Sequence, residues 1–140
     1  MIKEDYVSFE LAKMLKEKGF EAKTEHKIYY VVKDYSTGVH WNSCDYHVGD
    51  KTREYEKDKC IPMPTLQMAQ KWFREEKHLA INPSTYYRKL EGHEFHNWGC
   101  NIVSLDTWEV YCSNPLETFP ADTYEEALEM AMKYALENFV

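Results

Sequence analysis

Pro64-Thr65-Leu66-Gln67-Met68-Ala69-Gln70-Lys71-Trp72-Phe73-Arg74-Glu75-Glu76-Lys77 states an amphipathic helix together with its start signal. Pro62 and Pro64 hold the preceding residues extended, and Thr65 is a good cap, so the helix begins there. Leu66, Ala69, Trp72 and Phe73 recur at the helical period, while Gln67, Gln70, Lys71, Arg74 and Glu75 occupy the opposite side. Asp122 to Val140 repeats the design with a stronger opening. Thr123 followed three places later by Glu126 is a capping box, and the stripe Leu128, Ala131, Met132, Ala135, Leu136 and Phe139 is wide enough to seat deeply against a sheet.

Working outward, a third helix starts at Ser8 with the inner stripe Leu11, Ala12 and Leu15, and ends where Gly19 offers the left-handed C-terminal conformation. Lys27 to Lys33 is rich in β-branched and aromatic residues and reads as a strand, with a turn at Ser36-Thr37-Gly38. Val39-His40-Trp41 returns beside Tyr29 to Val32. Leu79-Ala80-Ile81 is a short strand ended by Pro83, and two more, about Cys100 to Leu105 and Thr107 to Cys112, form an antiparallel hairpin turning near Asp106. The expected fold is α+β: one domain over residues 1–140, with three amphipathic helices on one antiparallel sheet of four to five strands.

The chain has 140 residues, 44% hydrophobic, 29% charged and 15% aromatic, within the range of globular domains that fold without metals or disulfides. No apolar run approaches the roughly 18 residues of a membrane span, and no signal-peptide pattern opens the chain, so a cytoplasmic protein is expected. Cys44, Cys60, Cys100 and Cys112 contain no close pair, which favours free thiols. The net charge of -7 is unevenly placed: residues 1–105 hold 16 acids and 16 bases, whereas residues 106–140 hold eight acids and one base, Lys133. Without a basic surplus the electrostatic term behind nucleic-acid affinity is missing. The acidic end serves as a solvated helix face or, on a sharper reading, as a docking face for a basic partner.

The helices at Pro64 to Lys77 and at Thr123-Tyr124-Glu125-Glu126-Ala127 through Lys133 to Asn138, with the strand after the first, resemble small uncharacterised proteins of gut-bacterial phages and mobile elements. The resemblance covers about half of the chain. It implies a bacterial cytoplasm and an origin in such elements, and it transfers no catalytic residue.

No phosphate-cradling Gly-rich loop, nucleophile elbow, His-Glu-x-x-His or dinucleotide fingerprint occurs, so no catalytic residue is assigned and no cofactor is expected. Two long connections, residues 34–60 and 84–98, carry the only metal-like grouping: Cys44 and His47 from one, His93, His96 and then Cys100 from the other. His78 ends the second helix, where it complements the helix dipole. Strand alternation sends Tyr29, Val31 and Lys33 to one side and Ile28, Tyr30 and Val32 to the other, and likewise separates Trp108, Val110 and Cys112 from Glu109 and Tyr111. Both faces thus carry aromatics, and Tyr29, Val31, Trp108 and Tyr111 are the residues expected at a contact with another molecule. The expectation is a non-enzymatic binding module, a homo-oligomer through its sheet, with room for a further protein partner but none for nucleic acid or membrane. Two alternatives stay open: a small-molecule or zinc-dependent activity of residues 34–60 and 84–98, and an acidic inhibitor of a basic host protein.

Overall fold

The computed structural model describes residues 2, 5–21, 28–34, 40–46, 60–111 and 121–140. Among the described residues it is an α+β chain with three helices and five antiparallel strands. Contacts sort into two compact units, Tyr6–Thr65 and Met1–Asp5 with Leu66–Val140. The strands make a three-stranded and a two-stranded sheet in place of the single sheet expected.

In the unit Tyr6–Thr65, α1 spans Phe9–Glu17, with the Ser8 hydroxyl accepting from the Leu11 N–H at 3.2 Å. Its end is a Schellman motif: Gly19 takes φ 93, Phe20 N–H bonds the Leu15 carbonyl at 2.9 Å and Gly19 N–H bonds that of Lys16 at 3.1 Å. The expected stripe Leu11, Ala12 and Leu15 is fully buried, with Val7, Phe20 and Ile61 joining it. Strands β1 (Ile28–Asp34), β2 (His40–Tyr46) and β3 (Cys60–Met63) are ordered β2-β1-β3, with Tyr29 opposite Asp45 and Met63. The return strand therefore runs well past Trp41. Pro62, which with Pro64 marks the approach to α2, also sits within β3, an edge strand among the described residues, where a missing N–H is tolerated. The turn expected at Ser36-Thr37-Gly38 lies outside the described residues.

In the other unit, α2 (Leu66–Glu76) buries Leu66, Ala69, Trp72 and Phe73, the four positions its periodicity named. The C-terminal helix α3 (Tyr124–Asn138) opens with the Thr123 hydroxyl accepting from Glu126 N–H at 3.2 Å. The Glu126 carboxylate reaches back to the Asp122 N–H, one residue before the cap, at 3.3 Å. Ala127, Leu128, Ala131, Met132, Ala135 and Leu136 are buried on its inner side. Full burial of a Leu or Met side chain contributes about 1.5–3 kcal/mol, so this stripe outweighs any propensity term. No helix among the described residues is long and apolar enough to cross a membrane.

The largest departure from expectation lies between these helices. Residues 84–98 are not a loop: β4 (Leu79–Leu90) and β5 (His93–Ser104) form a continuous antiparallel ribbon, with Leu79 opposite Ser104 and Leu90 opposite His93. Pro83 does not end the strand, for a geometric reason. Trp98 exchanges both main-chain bonds with Ala121, Ile102 accepts from Tyr111, and Ser104 bonds Glu109 and Trp108, so even-numbered β5 residues point their main-chain groups away from β4. Their partners on β4, Pro83 among them, do the same, and proline loses no ladder bond there. On that open side the Ile81 carbonyl accepts from the Gln70 side-chain amide at 2.7 Å.

Candidate interaction surfaces

Near its base the ribbon is covered. Leu79, Ile81, Cys100, Ile102 and Ser104 share one face, are buried, and meet α2 and α3. The last aromatic on this side to pack on a helix is Trp98, held edge-on to Tyr124 of α3 at 5.4 Å. Beyond it the same face holds Tyr87, His96, Lys89 and Glu94, all exposed. Tyr87 packs on His96 at 5.0 Å, its hydroxyl donates to Glu94 at 3.3 Å, and His96 Nε2 lies 3.8 Å from the same carboxylate. On the reverse face Leu90 and Phe95, one from each strand beside the turn, are 53% and 42% exposed. Glu91 and Gly92 close the ribbon with φ 50 and 81, the two positive angles of a type I′ turn. Residues 79–104 carry Arg88 and Lys89 against Glu91 and Glu94, so the ribbon has no net formal charge.

At the other end of β5 the chain turns at Leu105 to Thr107, close to the expected Asp106. His78, left-handed at φ 54 just past α2, fixes this turn twice: its carbonyl accepts from Leu105 N–H and its Nδ1 lies 2.8 Å from Asp106 Oδ1. Beyond the dipole role expected of it, His78 thus ties a helix end to a hairpin end. Trp108 follows at φ 60 and is 75% exposed, a costly conformation for a bulky residue that places the indole outside the core. The return segment pairs Val110 with Val103, and Tyr111 lies flat on Phe139 at 4.5 Å.

A second exposed surface runs along the outer side of α3. Met130 and Tyr134 are one turn apart and exposed, and Phe139 meets Tyr134 edge-on at 5.8 Å. Glu126 and Glu137 are exposed on the same helix, and Glu109 shares its side of the return segment with Tyr111.

Of the residues expected at a contact, Trp108 and Tyr111 are exposed on the return segment, while Tyr29 and Val31 belong to β1 in the other unit. The zinc grouping is not assembled from its described members. His93 and His96 differ by an odd number of positions and fall on opposite faces of the ribbon, and Cys100 is four residues, about 13 Å, further along. Cys100 is fully buried and its thiol is pushed up to about 12 by loss of hydration, so it stays protonated and unreactive. Cys44 enters as a backbone position of β2, and His47 lies outside the described residues. No group of three or more potential metal ligands converges among the described residues. Sequence reading missed Tyr87, Leu90 and Phe95 because it ended the strand at Pro83. The available signal was the pair of aromatic-rich runs flanking Glu91-Gly92.

Comparison with known proteins finds no matching family, no similar curated protein and no similar solved structure.

Proposed function

We propose that the chain is a non-enzymatic protein-interaction module that pairs with a second copy through the outer half of its β4–β5 ribbon. One observation carries the reading: from Thr85 to His96 the ribbon leaves helical cover and still displays Tyr87, Leu90 and Phe95. An isolated two-stranded ribbon is marginal in water, and one whose outer half pairs with no further strand among the described residues and carries apolar side chains gains by pairing. Neutrality of the ribbon supports the choice of occupant, since two chains of net charge -7 approach most easily where neither is charged overall. The free, buried Cys100 is in keeping with a cytoplasmic setting. An origin in phages or mobile elements rests on the helix resemblance alone.

Sedimentation velocity over a range of concentrations tests the reading. The wild type is expected to dimerise, and Leu90→Lys with Phe95→Lys to return it to monomer with an unchanged circular dichroism spectrum. A wild-type chain that stays monomeric at high concentration would rule self-association out. Loss of the dimer on Tyr111→Lys, with the Leu90/Phe95 variant unaffected, would move the contact to the return segment.

A further inference from the structure

The stripe on α3 has a different chemistry from the ribbon. Met130, Tyr134, Phe139 and Tyr111 form its apolar part, joined through the ring contacts of Phe139 at 4.5 and 5.8 Å. Exposed carboxylates lie at Glu126 and Glu137 on the same helix, and at Glu109 two residues before Tyr111. The one base of residues 106–140, Lys133, is paired with Glu129 at 3.7 Å and leaves the acidic excess of that quarter in place. Aromatic faces attract cations, carboxylates pair with them, and the aliphatic stems of Lys and Arg lie well on apolar rings. A second copy suits this surface poorly, because it would bring another net charge of -7 against it.

We infer that the outer stripe of α3 docks a basic amphipathic segment of a partner protein, with Lys or Arg spaced among apolar residues at helical intervals. The apolar residues meet Met130 and Tyr134, and the cationic heads reach Glu126, Glu137 and Glu109. This surface is separate from the ribbon, so it stands or falls independently of self-association.

The probe is a synthetic peptide of about 18 residues, five helical turns, built from Lys and Leu at helical spacing. A Glu/Leu peptide of the same pattern and plain oligolysine are the controls, with fluorescence anisotropy on the full-length chain as readout. The Lys/Leu peptide is expected to bind well above both controls, and to weaken about tenfold with Tyr134→Ala and again with Glu126→Gln plus Glu137→Gln, since glutamine keeps the capping box and removes only the charge. Raising salt from about 0.05 to about 0.3 M weakens it further, as screening requires. The Leu90→Lys/Phe95→Lys chain binds as the wild type does. No binding, equal capture of the Glu/Leu peptide, or unchanged affinity in the charge variant overturns the inference. Oligolysine binding as tightly as Lys/Leu, with Tyr134→Ala silent, removes the aromatic stripe and leaves only diffuse charge.

Discussion

The two halves of the β4–β5 ribbon share strands, register and hydrogen-bond ladder, yet differ in what supports them. At the base, Leu79, Ile81, Cys100 and Ile102 are at most 4% exposed beneath α2 and α3, whereas at the tip Tyr87 is 59% exposed. Ladder bonds alone contribute little net stability, because water supplies equivalent bonds to the unfolded chain. The base is therefore held by side chains removed from water. The tip keeps its shape through its turn and its attachment to the base, while Tyr87, Leu90 and Phe95 stay exposed.

This difference predicts a steep gradient of mutational effects along the ribbon. Ile102→Ala leaves a cavity under the helices and is expected to cost about 2–5 kcal/mol in denaturant unfolding. Phe95→Ala, at the tip, should fall within about 0.5 kcal/mol when measured on the monomer. Equal losses at both sites would mean that the tip is packed after all.

Cys100 sharpens the comparison through pH. Its thiol keeps its proton to about 12 in the fold, against an ordinary value of 9.0. Below pH 9 both states hold the proton and stability is complete. From about 9 to about 12 only the unfolded chain releases it, so stability falls by up to about 1.4 kcal/mol per pH unit, saturating above 12. Cys100→Ala should unfold more easily at neutral pH but lose this part of the alkaline slope, as urea melts at pH 7.5 and 10.5 would show. Parallel slopes for the two proteins would mean that the thiol reaches water.

Where a helix has one buried side, the sequence stated it fully. Leu66, Ala69, Trp72 and Phe73, the Ser8 cap and the Thr123–Glu126 box were legible because periodicity and capping are local properties. Strand grouping was not, since which strands share a sheet depends on contacts far apart in sequence. Residues 84–98 failed for a nearer reason. Pro83 ends a strand only if its nitrogen faces a partner, and that parity follows from the two-residue turn at Glu91-Gly92, which makes Pro83 and Cys100 a non-hydrogen-bonded pair; without that turn the parity could not be assigned. The exposed stripe Met130–Tyr134 was hidden by the strength of the core stripe on the same helix. Its acidic residues were visible as charge, but the stacking of Tyr111 on Phe139 required the fold.

The tightest test of the tip is its turn. Gly92 sits at φ 81, and a Cβ built on it meets nothing within 4 Å, so Gly92→Ala costs only the left-handed strain, about 1–2 kcal/mol. Glu91, at φ 50, already bears part of that strain, and Glu91→Asn should relieve it by a few tenths of a kcal/mol because asparagine tolerates the left-handed region better. Both changes act far from the helix-covered base. Global unfolding should register them weakly, while hydrogen exchange of the Tyr86 to Asn97 amides registers them fully, because the tip can open without the base. Should Gly92→Ala lower the global midpoint as much as Ile102→Ala does, the two halves form one cooperative unit and the tip is not free to serve a partner.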